Sequence, residues 1–267
     1  MSKVVLITGA SSGIGKSIAT FLSERGYKVY GTSRKPKNIE DVNFELIPLN
    51  VLKVDTIQSA ISYILNKEHT IDVLINNAGM GITGPVEETS TDEMRSVFNT
   101  NLFGAIDVMK AVLPQMRSQK SGLIINVTSI AGYMGLPFRG IYSASKGALE
   151  IVTEAVSMEV KNLGINVVNV APGDFATNIA AGRYHAPVLE NSAYKEKYQE
   201  NLDLMDAHVD SGMNPIEMAK AVYKIINTKK PKIHYKVGEF MQKFSIVLKR
   251  ILPDQVYEKL LMNHYKL

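Results

Sequence analysis

Val4-Val5-Leu6-Ile7-Thr8-Gly9-Ala10-Ser11-Ser12-Gly13-Ile14-Gly15 begins as a short β-branched apolar run and then meets three glycines within seven residues. A run this short, bounded by glycine, reads as a parallel strand buried on both faces. The helical pattern that follows runs from Ile14 to about Arg25. Strand, glycine turn and helix in that order leave free N–H groups and a positive dipole end facing the turn. Glycine lets the backbone approach a pyrophosphate closely there. The spacing is Gly-x-x-x-Gly-x-Gly and not the Gly-x-Gly-x-x-Gly of the standard dinucleotide fingerprint. A tight βα turn with no ligand is the plainer alternative.

Outward from this turn, strand and helix patterns alternate. Gly26 closes the first helix, and Lys28 to Thr32 forms a second strand. In a dinucleotide fold the residues just after that strand face the adenosine ribose, where an acid accepts from a 2′-hydroxyl and Arg accommodates a 2′-phosphate. Ser33-Arg34-Lys35 stands there with no acid, which favours NADP(H) over NAD(H); the alternative is that both cations point into water. Further strands are expected at Phe44 to Leu49, Ile71 to Ile75, Leu123 to Thr128, Ile165 to Val170 and Ile233 to Val237. Helices are expected at Val54 to Lys67, Thr91 to Arg117, Tyr142 to Leu163 and Asn214 to Asn227. Asn76-Asn77-Ala78-Gly79 and Ala171-Pro172-Gly173 end two of the strands in small residues suited to ligand contact at the sheet's carboxyl edge. Such alternation without linker or repeat predicts a single α/β domain, a doubly wound parallel sheet of the Rossmann type, over residues 1–238. The 177–212 segment has no clear period and is either a mobile lid or a small helical insertion over the substrate.

Chemistry enters at Ile141-Tyr142-Ser143-Ala144-Ser145-Lys146. Residues four apart share one helical face, so the Lys146 ammonium lies one turn from the Tyr142 phenol. An ammonium that close favours the phenolate, lowering a phenol from its ordinary ~10 toward working pH and making it a general acid/base. By itself the pair also fits any surface helix. Asn101 lies within a long helix, where Asn is neutral to unfavourable and needs a packing or functional reason.

Bulk properties exclude several other classes. The 267 residues contain no Cys, which rules out disulfides, thiolate metal sites and Cys nucleophiles. The five His are scattered without metal-ligand spacing, so no metal is expected. A net charge of +4 with cations spread along the chain, including Arg34-Lys35-x-Lys37 and Lys229-Lys230-x-Lys232, is ordinary for a solvated surface and predicts no nucleic-acid partner. The apolar run after Met1-Ser2-Lys3 is too short for a signal peptide, and no run approaches ~18 apolar residues, so a cytoplasmic protein is expected.

Taken together, Thr8-Gly9-x-x-x-Gly13-Ile14-Gly15, Asn76-Asn77-Ala78-Gly79, Asn101, Ser129, Tyr142-x-x-x-Lys146 and Pro172-Gly173 resemble the short-chain dehydrogenase/reductases in order and spacing, over roughly residues 3 to 237. The turn and the length are similar to the shorter, single-domain branch. Gly132-x-Met134-Gly135-Leu136-Pro137-Phe138 is similar to 17β-hydroxysteroid and retinol dehydrogenase relatives. The resemblance implies that Tyr142 is the acid/base, that Lys146 lowers its pKa and binds the nicotinamide ribose, and that Ser129 holds the substrate oxygen. It implies that Asn101 holds a water linking Lys146 to solvent. Gly9, Ser11, Ser12, Gly13, Ile14 and Gly15 would hold the phosphates. Asn77, Ala78 and Gly79 would line the ribose side, and Pro172, Gly173 and Thr177 would sit near the nicotinamide. At the adenine-contacting pair Asn50-Val51 the family usually has Asp before Val; the Asn50 amide oxygen can still accept. The family also implies self-association through the helices containing Asn101 and Tyr142.

The expected activity is NADP-dependent transfer of hydride between nicotinamide and a carbonyl or secondary alcohol, in the reducing direction. A cofactor-binding sensor without turnover is the rival. Tyr133, Met134, Leu136 and Phe138, with Tyr184, Pro187, Val188 and Leu189, suggest an apolar substrate pocket; simple packing is the plainer alternative, and small carbonyl compounds stay open as substrates. In the 239–267 extension, Phe240, Phe244, Val247, Leu248 and Ile251 repeat at helical spacing with Lys243, Lys249 and Arg250 between them, and Pro253 breaks the pattern before Val256, Leu260 and Leu261. Such a helix either packs on the body or a partner subunit, the favoured reading, or lies on an anionic membrane surface.

Overall fold

The computed structural model describes residues 2–36, 43–176, 183–210 and 212–267. Lys37 of the first basic group and Thr177 of the expected nicotinamide contacts lie outside them.

The first strand, β1 (Val4–Ile7), is buried at all four positions. Its alternate side chains separate two layers, as the two-residue period of a strand requires. Val5 and Ile7 pack with Ile18, Ala19 and Leu22 of α1 (Gly13–Ser23) and with Met218, Ala219 and Val222 of α7 (Pro215–Ile226). Val4 and Leu6 pack with Ile57, Ile61 and Ile64 of α2 (Val54–Glu68) and with Val108, Val112 and Met116 of α4 (Gly104–Gln119).

Around β1 lie β2 (Lys28–Ser33), β3 (Glu45–Pro48), β4 (Val73–Asn76), β6 (Gly122–Val127), β7 (Ile165–Pro172) and β9 (His234–Val237). They form one parallel sheet in the order β3-β2-β1-β4-β6-β7-β9. Strand order reverses between β1 and β4, and the crevice at their carboxyl ends is where such sheets bind ligands. The strands match the expected positions to within two residues, and the sheet is the expected doubly wound one.

Two segments differ from expectation. The single helix expected from Thr91 to Arg117 is instead α3 (Thr91–Phe98), a π-helical turn over Asn99–Phe103, and α4. A turn widened to i→i+5 bonding is rare and collects at functional sites. Here it places Asn101 inside the protein, 1% exposed. The Tyr142 helix, α5 (Gly140–Glu159), stops four residues before the expected Leu163, and a short 3₁₀ turn leads to Gly164 at φ +77°. The described part of 177–212 takes the form of the small helical insertion. β8 (Tyr184–His185) pairs in parallel with β5 (Ile82–Thr83), and α6 (Lys195–Asp210) follows. Tyr198 anchors α6 by burying its ring and donating from its hydroxyl to Thr83 O at 3.0 Å.

After β9 come α8 (Phe240–Ile251) and α9 (Asp254–His264), with Pro253 between them. Ile246, Leu248, Leu252, Tyr257 and Leu261 join Ile130, Met134 and Ala171 in one cluster, so the tail packs on the body, but of the apolar residues singled out in the sequence only Leu248 and Leu261 take part. Only one face of α8 takes part: Phe240, Phe244, Val247 and Ile251 remain exposed.

Candidate active site

Ser129 follows β6 and caps a 3₁₀ turn over Ile130–Tyr133, accepting from Ala131 N at 3.1 Å. That turn lies directly against α5. A Cβ on Gly132 would come within 3.0 Å of Gly147 N and 3.1 Å of the Lys146 carbonyl carbon, so glycine is what allows the approach. The chain enters α5 through Phe138, which holds φ +56°, a left-handed conformation rare for a bulky residue. A 2.8 Å bond from Gly84 N to Phe138 O and a ring contact with Tyr198 at 5.3 Å hold it there. Arg139 comes next, its guanidinium 5.5 Å from the Tyr142 ring centroid.

Ser129 and Tyr142 line one small compartment of about 70 Å³ together with Ile14, Pro172 and Gly173. Lys146 is buried and donates from Nζ to Val127 O at 2.9 Å. Burial pushes its pKa down, and the nearby Tyr142 acts in the opposite direction. Gly79 lies on the same cluster, because a Cβ there would be 3.1 Å from Asn101 Oδ1 and 3.4 Å from Lys146 Nζ.

The side chain of Asn101 is fully engaged within the protein. Its Oδ1 accepts from Met80 N at 2.8 Å, and its Nδ2 donates to Met80 O at 2.9 Å and Ser145 Oγ at 3.1 Å. Ser145 Oγ in turn donates to Tyr142 O at 2.8 Å. Asn101 therefore positions the strand-end loop against the first turns of α5. Ser145 was not anticipated; only its place between the Tyr and Lys of the motif could have suggested it.

The glycine turn fits a phosphate. Gly9 and Gly13 take φ of +68° and +53°. A Cβ on Gly15 would collide with Gly9 O and Asn77 Nδ2. Ser11 and Ser12 are exposed, and Ser12 makes no side-chain cap to α1, leaving the first-turn donors open to a ligand. Asn77 also braces the turn: Nδ2 donates to Thr8 O and Gly9 O at 3.0 Å each. Thr8 Oγ1 accepts from Asn77 N and Ala78 N at 3.0 Å each, tying the turn to the end of β4. Ser33 ends β2, and Arg34 and Lys35 follow it, both exposed. Asn50 Oδ1 already accepts from Leu52 N at 3.1 Å, leaving one lone pair for an adenine amine. The Val51 side chain is buried in the core, packed on Gly104 at the start of α4.

A second cavity of about 470 Å³ shares Ser129, Pro172 and Gly173 with the small compartment and extends along Met134, Leu136, Leu248 and Leu261. Arg139, Asp174 and Arg183 line both. The sequence carried no signal for Asp174, which is fixed by a 2.9 Å bond from Gln242 Nε2, nor for Arg183, which lies in the segment without a period.

A doubly wound parallel sheet with a phosphate-fitting glycine turn beside a Ser–Tyr–Lys cluster is the build of a nicotinamide-dependent oxidoreductase. Residues 3–187 match the family described as short chain dehydrogenase, and the chain belongs to that family. It is 40% identical over 265 residues to a 3-ketodihydrosphingosine reductase of Bacteroides thetaiotaomicron, covering 98% of each chain. It is similar to the crystal structure of a short-chain dehydrogenase from Streptomyces avermitilis, with 31% identity, a TM-score of 0.85 and coverage of 100% of this chain and 97% of that one. A Burkholderia cenocepacia short chain dehydrogenase in complex with NADP shares 26% identity at a TM-score of 0.77, covering 97% and 98%.

Proposed function

We propose that this enzyme uses NADPH to reduce a ketone carried at the polar end of a long apolar molecule. The observation that carries this reading is the cavity of about 470 Å³, which begins at Ser129 and is walled by apolar residues of the 3₁₀ turn and of both tail helices. Pockets that bury a whole small molecule span ~300–1,000 Å³. The relative named for reduction of 3-ketodihydrosphingosine, a ketone on a long-chain amino alcohol, supports the same class. Arg139, Asp174 and Arg183 at the shared end offer both charge signs to a polar head. The steroid and retinoid likeness of the Gly132–Phe138 loop becomes one arm of the substrate test.

Gly9, Ser11, Ser12, Gly13, Ile14 and Gly15 would hold the cofactor's phosphates, Arg34 and Lys35 a 2′-phosphate, and Asn50, Asn77, Ala78 and Gly79 its adenosine and ribose parts. Bound nicotinamide supplies the hydride. Ser129 Oγ accepts from Ala131 N, which leaves its own proton to donate to the substrate oxygen. Tyr142 gives that oxygen its proton as negative charge develops there. Lys146, held by Val127 O, supplies a fixed positive charge where water is excluded. Exposed Phe103, Ile151 and Met158 on the π turn and α5 support self-association through those elements, which sedimentation velocity tests.

The test is NADPH against NADH consumption over ketones graded from short diketones to long-chain 3-keto amino alcohols, with steroids and retinal beside them. Each methylene buried contributes ~0.8 kcal/mol, so kcat/KM should rise about fourfold per methylene until the cavity is filled. A flat chain-length series would overturn the substrate class, and a preference for NADH would overturn the cofactor.

A further inference from the structure

We propose that the outer face of α8 seats this protein on an anionic lipid bilayer. Phe240, Phe244, Val247 and Ile251 stand at helical i, i+4, i+7 and i+11 positions, so they form one narrow stripe along α8. The stripe points away from the protein: Phe240 is 73% and Ile251 67% exposed, while Ile246 on the opposite face is buried at 1%. The Phe240 and Phe244 rings stack on each other with centroids 5.7 Å apart, outside the core. A soluble surface gains nothing from such a stripe, and an amphipathic helix lying in the bilayer interface requires one.

Charge selects the occupant. From Lys229 to Arg250 there are seven cations and one anion, a net +6. The whole chain carries +4, so all other residues together carry −2. By helical geometry Lys243 and Arg250 border the apolar stripe along one edge. A two-fold dimer built on this face would bring those cations toward their own copies, which is unfavourable. An anionic lipid surface complements them. The helix has only 12 residues, and among the described residues no helix is long and apolar enough to cross a membrane, so the contact is a surface one.

The placement also suits the cavity. Met241 and Leu260 line it, yet they are 65% and 48% exposed, so it opens at α8 and α9 beside the stripe. Delivery of an apolar substrate from the bilayer rests on the function proposed above; seating on the bilayer does not.

The test is co-sedimentation of the full chain with phosphatidylcholine vesicles, with and without phosphatidylglycerol, at low and high salt. Wild type should partition at least about tenfold more to the anionic vesicles, and high salt should weaken it. Phe240→Ser/Phe244→Ser and Lys243→Glu/Arg250→Glu should each lose that partition by about tenfold or more. Neither pair lines the cavity, so turnover of a short water-soluble ketone should be unchanged and reports that the variants fold. Absence of wild-type binding to anionic vesicles would overturn the inference. So would a wild-type dimer in sedimentation velocity that the double Phe variant dissociates, because the stripe would then be covered by a second copy. Vesicle binding is read without turnover, so its failure is distinct from failure to reduce long-chain ketones.

Discussion

Asn101→Ala separates the positioning part that the structure gives this residue from a part in proton relay. The substitution removes three hydrogen bonds, to Met80 N, Met80 O and Ser145 Oγ, from a side chain that is 1% exposed. At ~1 kcal/mol net for each bond the loss is about 3 kcal/mol. A domain of this size loses ~2–4 °C of Tm per kcal/mol, so the melting temperature should fall by about 6–12 °C. Ser145 keeps its bond to Tyr142 O, so α5 should survive with its first turn less firmly placed. Displacing a reacting group by ~1 Å costs up to 10²-fold, and kcat/KM should fall between about tenfold and that limit. Asn101→Asp should be no better than Ala, because a carboxylate can still accept from Met80 N but faces Met80 O with no donor. Circular-dichroism melting and steady-state kinetics on the three proteins decide the matter. A melting temperature within about 1 °C of wild type, with activity lost only at one end of the pH profile, would refute positioning and restore the relay.

Three further outcomes follow from the same geometry. Gly15→Ala sets a Cβ against Gly9 O and Asn77 Nδ2, so the turn must open; the NADPH Kd by fluorescence titration should rise at least tenfold, ~1.4 kcal/mol, and an unchanged Kd would remove the turn from phosphate binding. Arg34→Asp replaces a cation just after β2 with an acid and should move the kcat/KM ratio toward NADH; an unmoved ratio would place the 2′-phosphate elsewhere. Glu150 is buried, and burial first, then the neighbouring Glu154, raises its pKa against the opposing pull of Tyr133 and His234. His234 Nδ1 lies 3.0 Å from Glu150 Oε1, within ion-pair distance but not aligned as a hydrogen bond. A carboxyl raised above its unfolded value binds more protons in the native state, so its contribution is full in acid and is lost as pH rises through the native pKa. Glu150→Gln should therefore gain on wild type in urea midpoint from pH 5 to pH 8, and parallel pH dependences would contradict this.

The sheet was legible because each of its strands is a short β-branched run with a period of two, or none where both faces are buried. The strand–turn–helix at Thr8–Gly15 and the shared helix of Tyr142 and Lys146 were legible because both are set by local spacing, whereas Ser129 was suggested only by the family resemblance. The π turn at Asn99–Phe103 was not, since a helix with one extra residue keeps an apolar pattern close to an ordinary one. The role of Asn101 depends on Met80, 21 residues away, and that of Ser145 on a bond from Asn101, 44 residues away. The tail was legible as an amphipathic helix but carried two apolar faces. Ile246 and Leu252 pack inward while Phe240, Phe244 and Val247 face out, and no periodicity tells which face meets the protein. Asp174 and Arg183 belong to the site only because residues of α8 and of the described part of the insertion, 183–210, line the same cavity.

The most direct measurement is NADPH consumption with a long-chain 3-keto amino alcohol by wild type and Tyr142→Phe, with cofactor binding and melting measured on the same samples. A positioned general acid contributes ~10²–10⁴-fold, so the variant should lose that much in kcat while binding NADPH and melting as wild type does. Turnover within a few-fold of wild type would show that the proton comes from another group and contradict the assignment of Tyr142.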